Sequence, residues 1–199
     1  MKKWSLWMYV GGSTLVVVII GAFLISKQSS VEIPEEFSAA RDQGAIIASR
    51  VVSSYRDSLT NLQFIAELDR AHEWDEALRI VRAELNRGDF IRADVIQLSS
   101  QLERMARLLT DIQPERARLM ATEAISSEVA LMSRLLSYNA LLVQFFETLQ
   151  QKFEGSLPNA DEAMQALLVK INEEVQAINV FNERFQQAFA EFDRIVGNK

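Results

Sequence analysis

The chain of 199 residues carries 27 acidic against 21 basic side chains, a formal net charge of −6, with no cysteine, three prolines and seven glycines. Without cysteine there are no disulfides, thiolate chemistry, Cys-ligated zinc or lipoprotein acylation, and the scarcity of helix breakers favours helices over a β-rich fold. All 27 acids follow residue 30 while Lys2, Lys3 and Lys27 border an apolar segment, so the remainder is more acidic than the total and repels nucleic-acid backbones and anionic headgroups.

From Trp4 to Ser26 there is no charge. The apolar heart is Leu15, Val16, Val17, Val18, Ile19, Ile20, Gly21, Ala22, Phe23, Leu24 and Ile25, and about 20 such residues span a hydrocarbon core. Trp4, Trp7 and Tyr9 gather at one end, as rings do at a headgroup interface. Lys2 and Lys3 lie on that side, whereas Glu32, Glu35 and Glu36 follow Lys27 on the other. The excess of positive charge places the N-terminus in the cytoplasm and the rest outside. A cleaved signal would have a shorter apolar region and a small-x-small site, which the sequence around Ser26 lacks. Residues 1–27 are therefore expected to be an uncleaved signal-anchor of the bacterial kind, and 28–33 a tether.

Residues 34–199 are expected to be an extracytoplasmic bundle, with helices at about 34–68, 73–111, 114–154 and 159–196. Pro34 opens the first, with Glu35 and Glu36 favouring its N-terminal dipole. Its stripe is Phe37, Ala40, Gly44, Ile47, Val51, Tyr55, Leu59, Leu62 and Ile65, spaced by threes and fours. The phase is lost at Asp69–Glu73 and resumes at Trp74, Leu78, Val81, Leu85, Gly88, Ile91, Val95, Leu98, Leu102, Met105, Leu109 and Ile112. Gly88-Asp89 has breaker chemistry, but the spacing runs through it and predicts one continuous helix.

Pro114 starts the third helix, with Asp111 a candidate cap. Gly155-Ser-Leu-Pro-Asn159 is a loop, and Asn159 with Glu162 forms a capping box for the fourth helix. That helix carries Met164, Leu167, Ile171, Val175, Ile178, Phe181, Phe185, Phe189 and Phe192 on one stripe. Four helices of matched length joined by short connections imply an antiparallel up-down-up-down bundle with shallow, coiled-coil-like crossings. The fold class is thus all-α, a transmembrane helix followed by a four-helix bundle.

Chemical motifs are scarce. His72 is the sole histidine, so Asp69-Arg-Ala-His72 has no second half with which to build a di-iron site. Arg87-Gly88-Asp89 spells an adhesion tripeptide but falls on a helical phase rather than a displayed loop. Serines and lysines are present without a placed base or oxyanion donors. No catalytic, cofactor-binding or metal-binding residue is assigned, and neither an enzyme activity nor a nucleic-acid or metal partner is expected.

The third helix is apolar around most of its circumference at Leu135, Leu136, Tyr138, Leu141, Leu142, Val143, Phe145 and Phe146. Two neighbours cover about half a helix, so part of this set is expected to be exposed as an interaction surface, namely Leu135, Leu136, Tyr138, Leu141, Val143, Phe145 and Phe146. The expected function is that of a membrane-tethered structural or interaction module contacting a protein partner or itself. The alternative is an extracytoplasmic sensor or carrier with a small or apolar ligand in the bundle, acting with a separate signalling partner.

Overall fold

The computed structural model describes residues 33–197. The expected anchor, tether and cytoplasmic end lie outside the described residues, apart from Ile33. Among the described residues the chain is all-helical, with four long helices and no strand: α1 Glu35–Ala71, α2 Trp74–Arg107, α3 Glu115–Phe153 and α4 Ala160–Gly197.

Each boundary has a local cause. Pro34, at φ −54° and ψ 131°, precedes α1, and its carbonyl accepts the first helical bonds from Phe37 and Ser38 N–H. The far end of α1 runs to Ala71, one turn beyond the expected stop at 68. There His72 adopts the left-handed conformation at φ 61°, its N–H bonds the Asp69 carbonyl, and Glu73 N–H bonds the Leu68 carbonyl. This double bond pattern satisfies carbonyls that the helix end leaves free. The same device closes α3, where Gly155 at φ 70° bonds the Lys152 carbonyl and Ser156 N–H bonds that of Gln151. Glycine adopts this conformation without steric cost, whereas His72 does so against the usual preference of a side-chain-bearing residue.

α2 is continuous through Gly88, as the spacing predicts, but ends at Arg107 rather than 111. Leu109–Asp111 tighten into a 3-10 turn, and Asp111 therefore does not cap α3; Pro114 occupies that position without a side-chain cap bond.

Charged and polar pairs report how the helices meet. Between α1 and α2, Arg50 pairs with Asp94, Asp57 with Arg87 and Ser58 with Glu84. Between α3 and α4, Arg116 pairs with Glu191, Arg134 with Glu174 and Lys152 with Asp161. Within each set one residue number rises as the other falls. α1 also reaches α3: Tyr55 Oη donates to the Leu135 carbonyl at 3.2 Å, its ring meets Tyr138 edge-on at 5.0 Å, and Asp69 pairs with Lys152. Both phenols lie in the core, and burial pushes their pKa values up. Where α1 begins, Arg41 makes two 2.7 Å bonds to Asp193 of α4 and lies 4.5 Å over the Phe189 ring, while Phe37 packs on Phe192. Phe185, Phe189 and Phe192 of α4 are buried core, as their spacing predicts.

α2 and α3 approach closely at Gly88. A Cβ added there would stand 2.7 Å from Val143 Cγ2, and Asn139 Nδ2 donates to the Gly88 carbonyl at 3.0 Å. Valine has a stiff χ1 and cannot swing a methyl away freely. Gly88→Ala should therefore destabilise the bundle by about 1 kcal/mol, a steric cost of about 1–3 kcal/mol outweighing a helix-propensity gain of about 1 kcal/mol. In a Val143→Ala background the same substitution should become neutral or stabilising. Urea melts of the four variants check this; a loss that persists without Val143 would mean that the seam is not tight here.

Candidate interaction surface and buried polar groups

The stretch of α3 expected to form an interaction surface divides into two sets. Leu135, Tyr138, Phe145 and Phe146 are buried, together with Leu142, and are not available as surface in this chain. Leu136 is exposed at 36%, and Leu141 and Val143 are half-buried. The correction has a physical cause. α3 is contacted from three directions, by α2 at Gly88, by α4 along its length and by Tyr55 of α1, so its apolar arc exceeds what two neighbours would cover.

What stays open is the seam between α2 and α3. A groove of ≈ 480 Å³ runs there, lined on α3 by Leu136, Asn139, Ala140, Val143, Gln144 and Glu147 and on α2 by Asp89 and Arg92. Seven residues before Leu136, on the same face of α3, Val129 is also exposed, as is Ile96, one turn beyond Arg92 on α2. Between Glu128 and Glu147 the only charge on α3 is Arg134, and it is tied to Glu174. α3 is the one described helix long and apolar enough to cross a membrane by length and composition, with 44% of its most apolar window buried inside the bundle.

Two buried carboxylates differ in their surroundings. Glu84 of α2, 1% exposed, accepts from Ser58 Oγ at 2.5 Å, Asn61 Nδ2 at 2.6 Å and Arg87 Nε at 3.0 Å, and Arg87 reaches on to Asp57 at 3.2 Å. Its charge is fully partnered, the condition under which a buried carboxylate is tolerated. Sequence reasoning missed this site. It chose the apolar Leu59 and Leu85, each one residue away, although Ser58 follows Tyr55 by three and Glu84 follows Val81 by three.

Glu128 of α3 is also buried, but among the described residues its Oε2 has no hydrogen-bond partner. Burial disfavours the anion and raises its pKa from 4.5 to about 7.

A small apolar cavity of ≈ 40 Å³ lies near the end of α1, bounded by Leu62, Ile65, Phe145, Leu149, Phe153 and Leu168 and by Asp69. Lys152, which pairs with both Asp69 and Asp161, stands at the same end. His72 sits on the exposed turn with its ring 5.6 Å from that of Trp74, and Arg87-Gly88-Asp89 lies within α2, Gly88 facing inward. Among the described residues no group of three or more His, Cys, Asp or Glu is placed to hold a metal ion.

Comparison with protein-family models, curated proteins and solved structures found no match to this chain.

The Glu128 carboxyl makes stability depend on pH with a defined sign. Its folded pKa lies above the unfolded value, so folding is favoured most where both states are protonated, below about pH 4.5. Stability falls as pH rises from there and the loss is complete just above pH 7. Glu128→Gln removes the titration while keeping the shape. Its advantage over the parent should grow by about 2–3 kcal/mol between pH 5 and pH 8. Denaturant melts of both proteins at the two pH values measure it, and parallel pH profiles would show that Glu128 ionises freely.

Proposed function

We propose that this protein is a membrane-anchored, extracytoplasmic helical-bundle interaction module without catalytic activity of its own. The uncharged outer face of α3 at the α2–α3 seam carries this reading. A protein with 24% charged residues leaves nearly three turns of helix between Leu136 and Glu147 without a charge, and exposes Leu136, Val129 and Ile96 along the same seam. Apolar side chains left exposed along one seam are the kind of surface a partner covers.

In this reading the four helices run up, down, up and down. Opposed residue numbering between α1 and α2 and between α3 and α4 supports it, as does the pairing of Phe37 and Arg41 at the start of α1 with Phe192 and Asp193 near the end of α4. The aromatic and lysine pattern of residues 2–27 supports a single span with the N-terminus inside. The bundle then stands outside the membrane, with the start of α1 and the end of α4 nearest the bilayer. The sensor or carrier alternative draws no support from the apolar cavity near the end of α1, which at ≈ 40 Å³ has room for about one water molecule and not for a ligand of ordinary size.

Because the chain has no cysteine, a single introduced thiol reports its own side of the membrane. A cysteine at exposed Glu173 should react with a membrane-impermeant maleimide in intact spheroplasts to the same extent as after lysis. Labelling only after lysis would place the bundle in the cytoplasm and overturn the extracytoplasmic assignment.

A further inference from the structure

Glu128 divides α3 into two stretches that are held very differently. After it, α3 is tied to all three other helices. The Leu135 carbonyl accepts from Tyr55 of α1, Asn139 donates to the Gly88 carbonyl of α2, Arg134 pairs with Glu174 of α4, and Lys152 pairs with both Asp69 and Asp161. Before it, from Glu115 to Ser127, the one side-chain bond to another helix among the described residues joins Arg116 to Glu191, side chains 68% and 28% exposed. Solvated pairs of that kind hold helices together weakly. The packing differs in the same sense. Ala117, Ala121 and Ala124 are buried before Glu128, whereas Leu131, Leu135, Leu142 and Phe145 are buried after it. An alanine removes less apolar surface from water and contributes less.

The carboxyl at the junction is 4% exposed, and its Oε2 has no partner among the described residues. Its neighbours on the same face of α3, Ala124, Ile125, Leu131 and Met132, are buried and apolar. The α3–α4 ion pairs set Glu128 level with residues 178–182 of α4. The Asn139 bond sets it level with residues 98–102 of α2, and the Tyr55 bond with residues 45–48 of α1. The charged groups nearest these levels are Asp42 and Arg50 of α1, Glu103 and Arg104 of α2, and Glu183 and Arg184 of α4, and all are exposed, as are Glu123 and Arg134 of α3 itself. None neutralises the carboxylate, and burial alone raises its pKa. An anion at this point is hydrated only if a helix moves aside, and the stretch of α3 with the fewest ties gives way at least cost.

We propose that Glu128 is a proton-operated latch on the first half of α3. With its carboxyl protonated, the stretch from Ala117 to Glu128 packs against its neighbours; on ionisation that stretch opens locally and water reaches the anion, while α3 beyond Leu131 stays closed. The latch belongs to the bundle itself and is independent of the location and partner proposed above.

Hydrogen exchange of the full-length chain in detergent micelles, read by mass spectrometry at pH 6 and pH 8, tests it. Once each rate is divided by the intrinsic rate at its pH, amides from Leu119 to Glu128 should exchange about tenfold faster at pH 8. That is the rise expected of a carboxyl titrating at about 7 when closed and at 4.5 when hydrated. The rise should be unaltered in about 1 M urea, because a local opening exposes little surface. Amides from Leu141 to Leu149 should stay at least about tenfold better protected at pH 8. Glu128→Gln should abolish the pH response of the first stretch, and Glu128→Met, of similar length and without a titrating group, should do the same.

Equal protection of the two stretches at pH 8 with a common urea dependence would mean that α3 opens only with the whole bundle, and overturns the latch. An unchanged first stretch in the parent chain overturns it too, as does a pH response that survives either substitution.

Discussion

A carboxylate cut off from water must be surrounded by donors, and the way Glu84 meets that demand sets the relation of α1 to α2. Ser58 and Asn61 come from one helix and Arg87 from the other, so the carboxylate is satisfied in only one axial register. Sliding α1 by a turn would take away Ser58 and Asn61 and leave the buried carboxylate with Arg87 alone, which costs more than the loss of an apolar contact. Apolar stripes alone tolerate such slips, because Leu, Ile and Val replace one another with small penalties. Tyr55, one turn before Ser58, then lies against the Leu135 carbonyl and the Tyr138 ring, carrying the alignment across to α3.

The third helix is where the wide apolar arc finds its explanation. A helix flanked by two neighbours needs a stripe, but one reached from three sides needs most of its circumference. Burial of Leu135, Tyr138, Phe145 and Phe146 uses that surplus inside the chain, and the narrower remainder at Leu136, Ala140 and Val143 faces the seam. Glu128 lies earlier on the same helix with a carboxyl oxygen that no donor meets among the described residues, so α3 holds a latent charge where α2 holds a compensated one.

The four helices after Pro34, the break before Trp74 and the continuity of α2 through Gly88 were legible in the residues, because three-four spacing agrees with the Pro and acidic-turn signals at the breaks and outweighs the breaker chemistry of Gly88-Asp89. Boundaries shifted where the signal was chemical rather than periodic. Asp111 has the composition of a cap but was drawn into a 3-10 turn, and His72 ended α1 by taking a backbone conformation that its side chain does not advertise. The buried polar group was illegible for a related reason. A search for apolar periodicity passes over Ser58 and Glu84, although they hold the inward phase, and settles on their apolar neighbours. The groove arises from the facing edges of two helices that are distant in sequence, and single-helix patterns cannot show it. Part of its floor was nonetheless visible in the excess of apolar residues around Leu136.

The bond from Asn139 to the Gly88 carbonyl has a mechanical meaning. Val143 fills the space that a missing side chain leaves on α2, and the amide just below it grips that helix's backbone. A one-turn translation of α3 past α2 would break the grip and drive a methyl into the next, occupied position. With Glu84 imposing a similar constraint between α1 and α2, a slip of a whole turn is costly at both of these seams. A force applied at one end of the rod would be carried to the other as tilt or rotation of the bundle as a unit, making it a strut rather than a telescoping relay.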